Sequence, residues 1–386
     1  MRLSICSLIK CMWISFLFTN GKSGLSTRGD MMFLRRLRKD IQYFPQGLSL
    51  YRVKKNNCLS PCLYTSDAFD NQIILLDTSL QADNLGDKII YYFCSKILKD
   101  LGIEVMCRIP TQVPISADND AYLAEHEEKI KMIAGTNVVM RHVFGSRQWY
   151  RPTTDERLHH LCLFGVGLDR YDESFDWASK KFYRTFLDAG VLHSVRDSLT
   201  ERALHDIGIE NVVNTACPTM WNLTESFCKA IPRGKATTVV TTVTDYAKDP
   251  VLDYEMMDVL LESYDKVYVW LQGSGDLSYL QGYPRISELD IIPYTVNAYV
   301  KLLERNDIEY VGTRLHAGIF ALNRKKRTLI LAVDSRAKAI AEDTGLPVAS
   351  RAAIHLLRDY IESNREVKIR LPWKNIERWK QQFRKH

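Results

Sequence analysis

IEYVGTRLHAGIFALNRKKRTLILAVDSRAKAIAEDTG, the stretch from Ile308 to Gly345, decides the fold class of this chain. Two short apolar runs are each followed by a run with helical periodicity, and Gly345 is a typical residue for ending the second helix. Strand-then-helix units of this length are characteristic of parallel βαβ structure. The stretch therefore predicts part of a doubly wound α/β sheet.

The same alternation fills most of the chain, in two series. The first begins with NQIILLDTS at Asn71 and includes two further strand-like runs, Asn137 to Gly145 and Leu158 to Asp169. A linker-like segment, CKAIPRGK from Cys228 to Lys235, separates it from the second series, which begins with ATTVVTTVTDY. Two such series indicate two sheets of the same kind.

We therefore predict an α/β protein with two doubly wound, Rossmann-like domains, residues 71–228 and 236–365, that face each other across a cleft. Ligands of such sheets bind at the carboxyl ends of the strands, and pockets favour domain interfaces. The cleft is therefore the expected functional site.

The ends of the chain are basic. Residues 1–70 are predicted to form a basic N-terminal extension, in part without fixed structure, and residues 366–386 a basic C-terminal helix. Phe33 to Asp40 and Arg370 to His386 combine basic and aromatic residues, which suits either a solvated helix face or contact with an anionic membrane surface. The apolar run within residues 1–30 is too short to span a bilayer and is either a weak anchor or an upstream extension.

The amino-acid composition excludes some classes of function for this chain. Lys and Arg number 52 against 46 Asp and Glu, and this mild net charge of +6 argues against a nucleic-acid binder. The nine cysteines form no CxxC pair, which favours reduced thiols and a cytoplasmic location, with membrane association as an alternative. No dense cluster of carboxylates and histidines is visible, so we expect neither a metal nor a cofactor.

The first candidate for ligand binding is QADNLGDKII, from Gln81 to Ile90. It follows the first predicted strand and opens a helix, where free N–H groups attract anions and Gly86 permits close backbone approach. Asn84, Gly86 and Asp87 are therefore predicted to bind substrate. The alternative is that Asp83 or Asn84 only caps the helix.

The second candidate is Arg196 in HSVRDSLTERAL, between a strand and a helix N-terminus. An arginine there adds a fixed positive charge to a helix dipole that already favours anions. The alternative is that Arg196 pairs with Asp197 or a neighbouring carboxylate, and that Asp197 merely caps the helix. Lys338, in the segment after the last strand of the opening stretch, is either a further anion contact or a surface lysine.

The third candidate is the pair Arg314 and His316 in the opening stretch. On a short extended segment the two side chains would point the same way. An arginine can grip a phosphate or carboxylate through two parallel hydrogen bonds, and a histidine can move a proton near neutral pH. The alternative is that both residues only pack and form salt bridges.

The order and spacing of these motifs resembles the polysaccharide pyruvyl transferase family. The matching pieces are DNLGDKII, SVRDSLTERALHDIGIENV and the stretch from Tyr310 to Pro347, so the resemblance spans roughly Asn71 to Pro347. It implies a fold like that of two-domain GT-B glycosyltransferases. It also implies transfer of the carboxyethylidene (enolpyruvyl) group of phosphoenolpyruvate onto sugar hydroxyls of a glycan, which forms a pyruvate ketal in polysaccharide biosynthesis.

The resemblance also suggests roles for individual residues. Arg314 and Arg196 would hold the phosphate and carboxylate of phosphoenolpyruvate, and His316 would act as the acid or base. One departure is the pair Cys217-Pro218, where the family often has Asp-Pro, so any role of that Asp is in doubt here.

The resemblance implies phosphoenolpyruvate as co-substrate and a glycan or a lipid-linked oligosaccharide as acceptor. Two alternatives stay open at this point. One is a GT-B glycosyltransferase that uses a nucleotide sugar, and the other is a non-catalytic protein of the same fold.

Overall fold

The computed structural model describes residues 38–40, 42–43, 46, 69–145, 149–150 and 156–384. Most of the predicted N-terminal extension, including the larger part of the basic segment Phe33 to Asp40, lies outside the described residues. The predictions for residues 1–30 therefore stay predictions.

The first half of the chain builds a parallel sheet of four strands in the order β2-β1-β3-β4. Its strands are almost entirely apolar where they are central, because helices cover both faces. They are β1 (Gln72–Asp77), β2 (Glu104–Pro110), β3 (Ile130–Ala134) and β4 (Leu161–Phe164).

Two short parallel strands, β5 (His193–Val195) and β6 (Val212–Asn214), continue this series. A parallel bridge between Val166 and Val195 connects the segment after β4 with the end of β5. Because the strand order turns back between β1 and β3, the carboxyl ends of these two strands leave a crevice in which doubly wound proteins bind ligands.

The second half of the chain builds a six-stranded parallel sheet in the order β12-β11-β10-β7-β8-β9. This is the doubly wound order, with its turning point between β7 and β10. The prediction of an α/β fold with parallel sheets is confirmed. The strands are β7 (Thr238–Thr241), β8 (Lys266–Trp270), β9 (Asp290–Ile292), β10 (Ile308–Gly312), β11 (Thr328–Ala332) and β12 (Val348–Ser350).

From Phe69 onward, α-helices connect the strands and cover the sheets. Those of the first half are α1 (Leu85–Asp100), α2 (Ala117–Glu125), α3 (Trp177–Phe186), α4 (Ser198–His205) and α5 (Glu225–Lys229). Those of the second half are α6 (Pro250–Ser263), α7 (Asp276–Leu280), α8 (Val296–Leu302), α9 (Leu315–Leu322), α10 (Ser335–Thr344), α11 (Leu357–Glu362) and α12 (Trp373–Gln381).

Helix α1 packs against both halves of the chain. Ile90 and Cys94 belong to the core of the first sheet, whereas Ile89 and Phe93 belong to a core formed mostly by the second half. At its N-terminus, Leu85 N–H donates to the Gln272 carbonyl over 2.9 Å. The two sheets therefore share this helix, and the division into domains at 71–228 and 236–365 stays a prediction.

Helix α12 lies within the predicted C-terminal segment and packs back on the first sheet. Its residues Ile376 and Trp379 are fully buried, and the Trp379 ring stacks on Phe164 with 4.3 Å between ring centroids. Burying these side chains stabilises the fold, because a large apolar side chain contributes roughly 1.5–3 kcal/mol. The aromatic residues that suggested membrane contact are thus largely buried against the first sheet, although Trp373 is still 39% exposed.

No helix in the described part of the chain has both the length and the apolar character needed to cross a membrane.

One predicted strand is wrong. Residues Asn137 to Gly145 form a loop that ends in a short 3-10 helix, and the strand lies just before them, as β3. Gly135 and Thr136 have positive φ angles of 70° and 57°, which turn the chain out of the sheet. The two apolar runs look alike in sequence, so the pattern placed the strand one segment too late.

Candidate active site

The carboxyl ends of both sheets meet around one cavity of about 430 Å³, which is within the usual size range of small-molecule sites. The turning points of both strand orders open onto it. The structure brings Asn84, Asp87 and Arg314 together here. The cavity is lined by Gln81, Ala82, Asp83, Asn84, Asp87, Gln112, Thr136, Asp245, Tyr246, Gly273, Ser274 and Arg314.

Asn84 and Gly86 hold the N-terminus of α1 in place. The Asn84 side chain accepts from the Gly86 N–H over 2.9 Å and from Gln272 Nε2 over 2.8 Å. A Cβ on Gly86 would lie 2.9 Å from Gln272 Nε2, so a larger residue would have to displace the Gln272 side chain. The capping role that the sequence left open for Asn84 is therefore present, together with a contact between the two halves.

Arg314 is the N-terminal cap residue of α9 and is 2% exposed. Its Nε donates to the Val243 carbonyl over 2.8 Å, and its Nη2 donates to Asp245 over 2.8 Å and to Asp276 over 2.5 Å. The predicted extended segment is wrong, because the helix starts directly after Arg314 and His316 lies in its first turn. Most of the guanidinium of Arg314 is thus committed to holding the second half together.

His316 is almost fully buried, and its Nε2 lies 3.8 Å from Cys217 Sγ. Burial lowers the pKa of His316, and the positive charges of Arg196 and Arg336 lower it further, to about 3, against the opposing effect of Asp334. The expectation of a histidine that titrates near neutrality is therefore wrong for the unliganded chain. The neutral imidazole can accept a proton, and an anionic ligand that offsets the arginines would raise its pKa.

The Cys217-Pro218 departure lies directly beside His316. The ring of Pro218 packs so closely on Gly165 that a Cβ there would come within 2.2 Å of it. Burial raises the pKa of the Cys217 thiol, which accepts a hydrogen bond from Thr219 Oγ1 over 3.0 Å. At this position His316 therefore faces a neutral thiol instead of a carboxylate.

Arg196 follows β5 and is 1% exposed. Its Nη2 donates to the Tyr171 hydroxyl over 3.2 Å, and its Nε forms an ion pair with Asp197 Oδ2 at 3.5 Å but has no hydrogen-bond partner among the described residues. Asp197 also caps α4, as the sequence allowed, by accepting from Thr200 N–H over 2.7 Å. A buried guanidinium N–H without an acceptor lowers the stability of the fold unless a ligand accepts its hydrogen bond.

Asp87 lies in the first turn of α1, where it lines the cavity. Burial raises its pKa to about 6, although a hydrogen bond from Thr136 and the charges of Arg336, Arg196 and Arg314 oppose the shift. Thr136 has a positive φ of 57°, a strained conformation that is typical of functional sites. Asp87 is therefore a carboxylate with a pKa raised to about 6, on which the charges of three arginines act.

Comparison with known proteins places the chain in a family. The family model described as polysaccharide pyruvyl transferase matches residues 84–335, which is more than half of the chain. The chain belongs to the polysaccharide pyruvyl transferase family. The matched range runs from Asn84 through Arg196, Arg314 and His316, so it covers most of the site residues that the sequence predicted.

Other comparisons are more distant. The solved structure titled "S. aureus MnaA-UDP co-structure" is similar to this pyruvyl transferase family member at 10% sequence identity and a TM-score of 0.40, over 77% of this chain and 91% of that chain. No curated protein matches the chain at a significant level.

Arg336 is one of the site residues that sequence reasoning missed, together with Gln112, Asp245 and Tyr246 of the cavity wall. Its Nε donates to Asp334 Oδ2 over 2.9 Å and its Nη2 to the Tyr246 hydroxyl over 2.7 Å, and its charge acts on both His316 and Asp87. It lies one residue beyond the range that the pyruvyl transferase model matches. The available signal was its position two residues after Asp334, at a strand end.

Lys338, which the sequence suggested instead, is exposed on α10 and does not line the cavity. Residues two apart on a helix are about 200° apart around its axis, so Arg336 and Lys338 cannot face the same side. The structure therefore brings Arg336, and not Lys338, to the other site residues.

A substitution at Gly167 tests whether the reaction depends on the position of Arg196, because it moves the guanidinium without changing a charge. A Cβ on residue 167 would lie 2.1 Å from Arg196 Nε, so Gly167→Ala must displace the guanidinium. We expect the transferase activity to fall by roughly 10²-fold, because small displacements of catalytic groups have effects of that size. Initial-rate assays check this.

The matched control is Gly234→Ala, whose Cβ would meet only Asn364 Oδ1 at an ordinary 3.4 Å. This variant should keep the wild-type rate. Wild-type activity in Gly167→Ala would show that the position of Arg196 does not matter to the reaction.

Proposed function

We propose that this chain transfers the carboxyethylidene group of phosphoenolpyruvate onto two hydroxyl groups of a glycan and releases phosphate. The observation that supports this most is that the charges of Arg196 and Arg336 both lower the pKa of His316 and the pKa of Asp87. Of these residues, Asp87 lines the cavity between the two sheets. In this proposal the two sheets act as two domains across a cleft, in the manner of GT-B enzymes.

The donor is compact and strongly anionic, with a carboxylate and a phosphate. Arginine suits both groups because its planar fork matches their oxygen atoms. The buried Nε of Arg196 has no hydrogen-bond partner in the described part of the chain, and Arg336 is only partly buried, so both can contribute to a donor site. Arg314 contributes positive charge, while its Nη2 is held by Asp245 and Asp276.

The reaction also requires groups that transfer the two hydroxyl protons. Two hydroxyl oxygens form bonds to the central carbon of the donor, and the bond from that carbon to the phosphate oxygen breaks. One hydroxyl proton ends on the methylene carbon, which becomes a methyl group, and the other ends on the released phosphate. In this proposal Asp87 removes the first hydroxyl proton, and neutral His316 accepts the second and passes it on.

The pH dependence tests the role of Asp87. Its folded-state pKa of about 6 means that the basic form predominates above that value, so kcat/KM should rise with pH through about 6. Asp87→Asn should lower kcat/KM by roughly 10²-fold and remove this rise. The measurement is the pH–rate profile of both proteins with phosphoenolpyruvate and an acceptor.

Asp100→Asn is the matched control, because Asp100 is exposed at the far end of the same helix. It should leave the profile unchanged. A wild-type profile that is flat through this range, or an active Asp87→Asn variant with the same rise, would exclude Asp87 as the base.

The function itself is tested with phosphoenolpyruvate and a panel of free, nucleotide-linked and lipid-linked glycans. The proposal predicts phosphate release that depends on the acceptor. Release of a nucleotide from a nucleotide sugar without consumption of phosphoenolpyruvate would instead favour a glycosyltransferase. A folded protein that turns over neither donor would favour a non-catalytic role.

The remaining predictions concern the location of the enzyme, its partners and its need for a metal or cofactor. We propose a cytoplasmic enzyme, with peripheral membrane contact where the acceptor is lipid-linked, and no nucleic-acid partner. Among the described residues no group of three or more His, Cys, Asp or Glu side chains could hold a metal ion. A reaction without metal or cofactor beyond the co-substrate stays a prediction.

A further inference from the structure

The cavity between the sheets carries more negative than positive charge on its wall. Asp83, Asp87 and Asp245 line it, and Arg314 is the arginine among its lining residues. The Nη2 of Arg314 is already shared between Asp245 and the buried Asp276. A negatively charged ligand in this cavity would therefore lie against three carboxylates, and the arginine that lines the cavity is already paired with one of them.

The same wall includes hydrogen-bond acceptors besides the carboxylates. Gln112 donates through Nε2 to the Thr78 carbonyl, whereas its buried Oε1 has no hydrogen-bond partner among the described residues. The Asp83 side chain is exposed, and its backbone is held because its carbonyl accepts from the Tyr294 hydroxyl. Carboxylate and amide oxygens arranged in this way suit a ligand that brings hydroxyl or ammonium donors.

An aromatic ring completes the wall. Tyr246 is 58% exposed, and its ring lies near Arg314 and Arg336, with 5.1 Å and 5.8 Å between each guanidinium carbon and the ring centroid. Such a ring offers an apolar face beside a polar rim, as ligand pockets commonly do. The Tyr246 hydroxyl accepts from Arg336 Nη2 over 2.7 Å, so this ring connects the cavity wall to an arginine assigned to the donor.

We propose, on the basis of the transferase function above, that this cavity is the acceptor subsite and that it selects a sugar residue without negative charge. Neutral and amino sugars fit its acceptors, whereas uronic acids and sugar phosphates are repelled by its carboxylates. In this proposal Asp83 is a specificity-determining residue, because it lines the cavity with an exposed side chain and is not one of the carboxylates paired with Arg314.

The experiment uses the full chain, phosphoenolpyruvate and matched pairs of methyl glycosides, each a hexopyranoside and the hexuronoside of the same configuration. The wild type should show a kcat/KM at least about 10-fold higher for the neutral member. Asp83→Lys should shift this ratio towards the hexuronoside by about 10-fold or more. Asp100→Lys makes the same charge change at the opposite end of α1 and should leave the ratio unchanged.

Ligand-observed NMR of the same glycosides, without donor, gives a readout that does not depend on turnover. The proposal predicts that the neutral glycoside binds the wild type and that the hexuronoside binds more weakly. Equal or tighter binding of hexuronosides, or an unchanged ratio in Asp83→Lys, overturns it. Absence of phosphate release with every pair, while neutral glycosides still bind selectively, would contradict the transferase function and leave the charge selection standing.

Discussion

Replacing His316 by alanine is expected to lower acceptor-dependent phosphate release by roughly 10²–10⁴-fold while the protein stays folded. The His316 side chain contacts the Cys217 thiol at 3.8 Å and forms no ion pair with any described residue, so its removal leaves no described carboxylate unpaired. His316→Asn keeps a polar group of similar size but cannot move a proton near neutral pH, and it should be equally inactive. Initial rates and thermal unfolding of both variants check this.

The acid stability of the protein gives an independent readout for His316. Its pKa is about 6.5 in the unfolded chain and about 3 in the folded chain, so the unfolded state binds more protons between these values. The free energy of unfolding should therefore fall as the pH drops from about 6.5 towards about 3. His316→Asn should lose less stability over this window. A variant at position 316 that folds normally and keeps full activity would remove His316 from the mechanism.

Replacing Arg314 by alanine is expected to destabilise the protein by roughly 3–5 kcal/mol, because it leaves the buried carboxylate of Asp276 without its cation. Asp276 is fully buried, and burial already raises its pKa against the effect of Arg314. Denaturant unfolding followed by circular dichroism measures the change. The double variant Arg314→Met with Asp276→Asn removes both charges and should recover part of the lost stability.

The matched control for this prediction is Arg305→Ala. Arg305 pairs with Asp307 over 2.6 Å, but both side chains are more than 40% exposed, at 42% and 43%. Exposed pairs contribute only about 0–1 kcal/mol. A loss of that small size in Arg314→Ala would mean that its carboxylate partners do not depend on it, and that its charge is available to the donor.

Local pattern was sufficient to predict most of the fold. The run Ile308 to Gly312 is a strand as predicted, and the helix that follows Arg196 begins with Asp197 as its cap. Both depend on periodicity and capping within a few residues, which the sequence shows directly. The strand predicted from Asn137 failed because two apolar runs lie side by side, and only the positive φ angles at Gly135 and Thr136 separate them.

The site was harder to predict, because its chemistry depends on contacts between distant residues. Asp245 and Asp276, which hold Arg314, lie 69 and 38 residues away from it in sequence. The low pKa of His316 depends on burial and on the charge of Arg196 from the other sheet. The choice between Arg336 and Lys338 depends on which side of α10 faces the cavity, and the sequence alone did not show this.

The most direct test of the central claim is NMR of the reaction with phosphoenolpyruvate labelled with ¹³C at its central carbon and a neutral methyl glycoside as acceptor. The proposed transfer predicts that the label moves to a quaternary ketal carbon that carries a methyl group and two sugar oxygens, with one phosphate released for each ketal. Label that stays in phosphoenolpyruvate, or that appears only as free pyruvate, would contradict the claim.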